Sequence, residues 1–499
     1  MVYFLIFLAT LFPRVYKIGF DLFNTDAFFW KENTYNFIGL FADHRFADMA
    51  ITHHPGVTLM WLGGIGMKIF RGLYFVVKHV PAPNTQAVVL WTNFSQNLPI
   101  ALVCTGAVAV SYYLIKRLFN NQRLALVTSL LLATEPWLVA HSRVYNTDAL
   151  MTSFMFLSVL TLWLALLETK YIKWAVLSGV FAGLALLTKS ISLFLIPFLL
   201  LSVGAFVIFK KLSIKKAMTI VSTVVAACVA TFLVVWPAMW TSPVSTLKLY
   251  WNGIFLEGDT RLNLHNMFGH PTMNPGPIFY PLAFLLRFTP ELIAAFAIGL
   301  ILLIKRINRR EGDKDETSLF LLLSLGFIVF YMLEISLATK KLDRYLLPVV
   351  PFVALIASYA FVQLKKKILL IVLGVILAIR VIVLGIYQPD YLAYYNPLLG
   401  GPTAGYNFDG EWWGEGYHLV GSWINEKLEV RAVAAYDNRQ LRPFVKDNIA
   451  VYDAGDKKLD ANKVDLWVLK YKDGGRQGFQ IIDTVSVAGY PMWGIYKKI

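Results

Sequence analysis

The sequence predicts an all-α polytopic membrane protein of about eleven transmembrane helices, followed by a small extracytoplasmic domain of α/β or β-rich type. Three observations predict it. Hydrophobic residues make up 57% of the 499 residues and charged residues only 15%, with a mean hydropathy of +0.58, a balance foreign to soluble domains of this length. Apolar runs long enough to cross a hydrocarbon core of about 30 Å recur along the chain. From about residue 388 the runs shorten and alternate with Gly-, Asp- and Lys-rich turns, the pattern of short strands.

The expected spans lie near residues 1–12, 97–115, 124–140, 149–167, 172–188, 190–209, 217–236, 289–304, 318–337, 345–363 and 368–387. The first is short and has no basic leader, so it looks neither like a cleaved signal peptide nor like a complete helix, and a start further upstream is expected. Residues 1–387 then form a transmembrane domain with large loops at 13–96 and 237–288, and residues 388–499 form the C-terminal domain. In the first loop, Trp30 to Phe41 reads as a surface helix. Val57 to Val77, apolar but interrupted by Gly63, Gly64, Gly66, Lys68 and Arg71, reads as interfacial or re-entrant, with a twelfth span as the alternative.

Lys and Arg collect in the short loops at 116–123, 170–173, 210–216, 305–310 and 365–367. By the positive-inside rule these are cytoplasmic. The long loops and the C-terminal domain are then extracytoplasmic, in a multi-pass protein expected in the plasma membrane. The net charge of +15 consists largely of these anchors. It implies anionic membrane lipids as partners and no nucleic acid. Cys104 and Cys228 fall inside predicted spans as packing residues. No metal-ligand spacing and no phosphate-cradling motif is present, so no metal and no cofactor is expected. In the second loop, His265 and His270 lack a third defined ligand, and the aromatic residues around Trp236 to Trp240 suit either a carbohydrate surface or an interfacial belt.

The chemistry-bearing residues gather on the outer side. The tetrapeptide Asn-Thr-Asp-Ala occurs twice, at 24–27 and 146–149, each time at a helix mouth. Asn, Thr and Asp are good N-caps, but a carboxylate at that depth also invites a functional reading. Thr52-His53-His54-Pro55-Gly56 follows the first copy and is either an exposed turn or a neighbour of Asp26. Lys189 ends one span in a tight outer turn, and Arg344 opens another. Lysine there can snorkel to head groups. An outer cation nevertheless runs against the positive-inside pattern, and together Lys189 and Arg344 outline a phosphate site.

The order of these motifs resembles a family. An acid in the first outer loop, His54-Pro55-Gly56, Arg143 five residues before the helix-opening NTDA acid Asp148, Leu187-Thr188-Lys189, and Arg344-Tyr345 with Pro348 and Pro351 follow the order found in the dolichyl-phosphate-mannose protein mannosyltransferase superfamily, family 39 and relatives, of GT-C fold. The tail segments Tyr391 to Gly401 and Trp413 to Tyr417 resemble its bacterial members. One departure is that Ala27 follows Asp26 where the family commonly has Asp-Glu, which puts any role for a second carboxylate, such as metal ligation, in doubt.

The resemblance implies an inverting glycosyltransferase. It would move a sugar, hexosyl or mannosyl, from a polyprenyl-phosphate donor to a hydroxyl of a protein, lipid or glycan acceptor on the outer face of the membrane. Asp26 is the first candidate for the base, with His53 and His54 next. Lys189 and Arg344 would bind the donor phosphate, and Arg143 with Asp148 would organise the site or read the acceptor. The rival reading is a transporter or flippase of lipid-linked sugars, whose charges are expected near the bilayer midplane and in repeated halves.

Overall fold

The computed structural model describes residues 2–210, 212–260, 265–308, 316–338, 340–410, 412–427, 429–471 and 478–499. The side chains of residues 255–260, 265 and 266 are outside that description, as is Arg261. Of the second-loop side chains that drew attention, His265 therefore lies outside the described set, and His270 is exposed on a short strand.

The helices run in the order α1 (Val2–Val15), α2 (Thr25–Ala42), α3 (Val57–Lys78), α4 (Gln86–Phe119), α5 (Gln122–Thr134), α6 (Pro136–His141), α7 (Asp148–Leu167), α8 (Tyr171–Thr188), α9 (Leu195–Phe209) and α10 (Ile214–Val235). They continue through α11 (Ala238–Thr241), α12 (Pro243–Thr260), α13 (Phe279–Arg287), α14 (Pro290–Asn308), α15 (Thr317–Leu337), α16 (Val350–Val362) and α17 (Lys366–Tyr387). Among the described residues nine helices, counting short 3₁₀ entries into α9 and α16, are long and apolar enough to cross a membrane, and ten if α13 and α14, bent by 116°, count as one span. The protein is an integral membrane protein.

The count from sequence differs at identifiable places. Val2–Val15 and Gln122–Thr134 are shorter than a full crossing, while Val57–Lys78 reaches that length. Length alone does not make α3 a span. The Gly56 N–H just before it donates to the Thr188 carbonyl at the end of α8, and Gln86, shortly beyond its other end, donates its N–H to Asp447 of the C-terminal region at 3.0 Å. The starts of α3 and α4 are therefore both tied to the same end of the bundle, an arrangement that suits a surface helix for α3.

The expected span 124–140 is broken at Glu135 between α5 and α6. Pro136 has no N–H to give the Leu132 carbonyl, and its ring opposes helix continuation. The freed carbonyls are recovered by two buried arginines: Arg14 donates to Leu132 and Ala133 at 3.2 and 3.0 Å, and Arg380 donates to Leu131 at 2.8 Å. In an apolar bundle such substitutes are obligatory. Glu135 at the break holds Arg380 at 2.8 Å and accepts from the Thr289 N–H and hydroxyl, fixing the bend between α13 and α14. Elsewhere backbones approach closely. Gly179 and Gly183 of α8 face α10 so tightly that a Cβ at 179 would lie 2.3 Å from the Val224 oxygen, the small-xxx-small mode of membrane helix packing.

After α17 the chain passes through α18 (Gly401–Phe408), α19 (Tyr417–Asn425) and α20 (Asn438–Leu441). It builds a five-stranded sheet in the order β4-β3-β5-β7-β6, after a small β1 (His265–Met267) and β2 (His270–Thr272) hairpin earlier in the chain. The sheet strands are β3 (Ala432–Ala435), β4 (Ala450–Asp453), β5 (Leu466–Lys470), β6 (Phe479–Val487) and β7 (Tyr490–Lys498). Arg287 fastens this region to the bundle, donating to the carbonyls of Leu392 and Tyr394 and to the Tyr395 hydroxyl while pairing with Asp343 at 2.5 Å.

Candidate active site

The repeated tetrapeptide divides its labour. Asn24 caps α2, its side-chain oxygen accepting from the Ala27 N–H at 2.6 Å. Asn146 accepts from the Asp148 N–H at 3.2 Å. In both copies the asparagine takes up the free backbone donor, which releases the neighbouring aspartate to present its carboxylate elsewhere. Asp26 lies in the first turn of α2, and Asp148 opens α7.

Four charges converge from four distant segments. Lys189 leaves the end of α8 in an extended conformation and its Nζ lies 2.6 Å from Asp148 Oδ1. Arg344 contacts Asp26 Oδ2 at 3.2 Å and Asp148 Oδ2 at 3.6 Å, so it bridges the two aspartates. Its guanidinium stacks over the Trp413 ring at 4.6 Å, and Lys189 lies over Tyr345 at 4.5 Å. Exposure distinguishes the carboxylates: the Asp148 side chain is 1% exposed and the Asp26 side chain 33%. Asp148 is thus an internal anchor for the two cations, whereas Asp26 can meet an incoming molecule. The charged residues near Arg344 sort in the same way. Lys341 bonds the carbonyls of Ser336 and Ala338 at the end of α15, and Asp343 takes Arg287, leaving Arg344 to the aspartates.

Two openings meet this cluster. A cavity of about 360 Å³ is bounded by Thr25, Asp26 and Arg344 on one side and by the C-terminal region on the other. An apolar groove of about 960 Å³ runs between α8, α9, α10 and α12, lined by Leu186, Leu199, Val225, Phe232 and Trp251 among others. Leu186 and Leu193, which flank Lys189 in the sequence, both line it, so the groove reaches the segment that carries Lys189.

The remaining residues singled out from sequence fall differently. Arg143 does not pair with Asp148: it turns to Asp21 at 2.6 Å, donates to the carbonyls of Pro13 and Tyr16, and stacks on Tyr391 at 5.1 Å. Asp21 is nearly buried, and an unpaired arginine there would be costly, so Arg143 organises the loop after α1 and not the two-aspartate cluster. His53 and His54 lie with their ring centroids 4.7 Å apart. Gly56 beside them packs on Trp30 so closely, at a φ of +56°, that a Cβ there would lie 1.9 Å from the ring. His53 is seated against Gly253 of α12, and neither histidine borders the 360 Å³ cavity. The residues that sequence reasoning passed over are the cavity walls from the C-terminal region, Trp412, Tyr436, Gln440, Lys470 and Trp493. Of these only the Trp412-Trp413 doublet carries a local signal, as paired aromatics beside a glycine turn.

Comparison with known proteins agrees with this architecture. The apo crystal structure of ArnT from Cupriavidus metallidurans is similar at 13% identity over 100% of this chain and 97% of that one, with a TM-score of 0.54. The same protein bound to undecaprenyl phosphate gives 13% identity, the same coverage and a TM-score of 0.50. The apo oligosaccharyltransferase of Archaeoglobus fulgidus is 12% identical over 91% of this chain and 64% of that one, with a TM-score of 0.50. At such identities the likeness is one of fold, and the fold is GT-C. No curated protein matches the chain. Residues 87–236 match the family described as dolichyl-phosphate-mannose-protein mannosyltransferase. The chain is therefore a membrane protein of GT-C fold, whose residues 87–236 are similar to the protein mannosyltransferase family.

Proposed function

We propose that this protein is an inverting glycosyltransferase that moves a sugar from a polyprenyl-phosphate donor to an acceptor hydroxyl on the outer face of the plasma membrane. The observation that carries the reading is the convergence of Asp26, Asp148, Lys189 and Arg344, with an apolar groove that reaches the segment carrying Lys189. An amphipathic donor needs both parts: an apolar channel for its chain and cations for its phosphate. ArnT, which shares the fold, has been crystallised with undecaprenyl phosphate, which supports a lipid-phosphate ligand. The charges gather at one end of the bundle, which favours surface chemistry over midplane transport.

In this reading Lys189 and Arg344 hold the donor phosphate. Asp26 accepts the proton of the acceptor hydroxyl as its oxygen bonds the anomeric carbon. The bond from that carbon to the phosphate oxygen breaks, and the electron pair leaves with polyprenyl phosphate, whose additional negative charge the two cations stabilise. Attack opposite the leaving group inverts the anomeric configuration. Asp148 keeps both cations in place before donor binds, and Arg344 passes from Asp26 to phosphate when it does, freeing the base. His53 and His54 are the second candidates for the base. Arg143 supports the site from outside it.

Donor binding tests the assignment. Lys189→Ala and Arg344→Ala should each weaken affinity for a polyprenyl-phosphate sugar about ten- to a hundredfold, the value of a charge-assisted contact of about 1.5–3 kcal/mol. Arg344→Lys should restore only part, having lost the planar fork. Unchanged affinity in both alanine variants would remove the phosphate site.

A further inference from the structure

The wall of the cavity opposite Asp26 is built from residues more than 380 positions later in the sequence, and it is held in place. Gln440 Nε2 of α20 donates to Thr25 Oγ1 at 2.7 Å, latching the C-terminal region onto the first turn of α2. Beside this latch Lys470, the last residue of β5, projects between two aromatic rings, its Nζ 4.2 Å from the Tyr436 centroid and 5.2 Å from that of Trp412. The contrast with the other cations is informative. Lys189 and Arg344 are engaged by Asp148 and Asp26, whereas the Lys470 ammonium has no hydrogen bond or ion pair with any described residue. The nearby Asp437 uses its Oδ1 on the N–H groups of Arg439 and Gln440 at the start of α20.

We propose that the C-terminal region forms the acceptor subsite, and that the acceptor is a saccharide carrying an anionic substituent which Lys470 binds. This inference rests on the glycosyl-transfer reading of the same cavity. A volume of about 360 Å³ is in the range of small-molecule sites, about 300–1,000 Å³. Its mixture of ring faces and polar groups suits a pyranose, whose C–H faces lie on aromatic rings while its hydroxyls meet donors and acceptors. A peptide acceptor, by contrast, calls for a strand edge or an extended groove. Lys470 adds a point charge already flanked by rings, so a carboxylate or phosphate on the sugar would complete its coordination. With its anion on Lys470, the acceptor would lie across the cavity from Asp26, which is where its hydroxyl must be deprotonated.

The test uses the full chain in detergent with a polyprenyl-phosphate sugar donor and three acceptors sharing one aglycone: a neutral hexoside, the matching uronoside, and the matching hexoside 6-phosphate. Wild type should favour one or both acidic acceptors by about ten- to a hundredfold in kcat/KM, and the two acidic arms distinguish carboxylate from phosphate. Lys470→Gln should abolish that preference through acceptor KM. It should lower kcat/KM for the neutral acceptor far less than for the acidic ones and leave the donor dissociation constant near wild type, and Lys470→Arg should retain the preference. Direct binding of the uronoside and the phosphate ester, followed by saturation-transfer NMR, should weaken in parallel, so a folded but slow variant is still informative. Transfer with an acidic-to-neutral ratio unchanged by Lys470→Gln, or transfer only to peptide hydroxyls, would overturn this inference and leave the glycosyl-transfer reading intact. Absence of transfer from every donor would overturn both.

Discussion

Asp26→Asn separates the chemical role of the first tetrapeptide from its structural one. The helix cap belongs to Asn24, whose oxygen takes the Ala27 N–H at 2.6 Å, so Asp26→Asn leaves the cap intact. What it removes is one partner of Arg344 at 3.2 Å, in a pair whose aspartate is 33% exposed. A pair so open to solvent is worth about 0–1 kcal/mol, and the melting temperature in detergent should barely move. A general base that loses its proton acceptor costs about 10²–10⁴ in rate, or about 2.7–5.4 kcal/mol of barrier. Asn24→Ala should do the reverse, costing about 0.5–2 kcal/mol of stability as a lost cap with a much smaller loss of rate. Both variants are measured by steady-state transfer and by thermal melting on the same preparations. If Asp26→Asn keeps its rate, or if Asn24→Ala loses as much rate as Asp26→Asn at unchanged stability, Asp26 is not the base and attention returns to His53 and His54.

Further expectations concern the supports of the site. Arg143→Ala should destabilise the fold by about 3–5 kcal/mol, because it strands the buried Asp21 carboxylate. A variant with wild-type stability would contradict the pairing at 2.6 Å. Burial raises the carboxyls of Asp390 and Glu415 to about 7 from ordinary values of 3.8 and 4.5, and the charge of Asp390 adds to the effect on Glu415. Folded values above the unfolded ones mean that their stability contribution is complete below about pH 4 and lost as the pH rises through 7. The melting temperature should therefore fall between pH 5 and pH 8, and Glu415→Gln should shrink that fall; an equal fall in the variant would exclude Glu415 as a cause. For orientation, single cysteines replacing Asp313 and Asp456 in a background lacking Cys104 and Cys228 should label from opposite sides of a sealed membrane, and labelling from one side would refute the eleven-span topology.

The legible parts of this protein are those governed by local composition. Hydropathy located the long helices, and alternating short runs marked β3 to β6 at nearly their observed positions. β7 escaped because Pro491, Gly494 and the Lys497-Lys498 pair obscure its apolar residues. The break at Glu135 was hidden inside an apolar stretch: Pro136 was visible, but the arginines that make a broken span tolerable come from α1 and α17. In the candidate site, the single residues that converge stood out in the sequence, since charged groups at the mouths of apolar helices are costly wherever they occur. Pairing was not. Arg143 lies five residues from Asp148 in sequence yet closes on Asp21, because the turn between α6 and α7 directs it back toward the loop after α1. Lys470 and Gln440 had no local signal at all, as their meaning comes from a cavity closed across nearly the whole chain.

The most direct test of the account is product analysis with the purified protein in detergent, where no sealed compartment exists and transport cannot register. Wild type supplied with α- or β-linked polyprenyl-phosphate sugars and a hydroxyl acceptor should yield one glycoside per polyprenyl phosphate released, with the anomeric configuration of the donor inverted by NMR. Release of polyprenyl phosphate with retained configuration would contradict in-line attack assisted by Asp26, and no turnover with any donor, alongside movement of the same lipids across reconstituted vesicles, would contradict the enzyme itself.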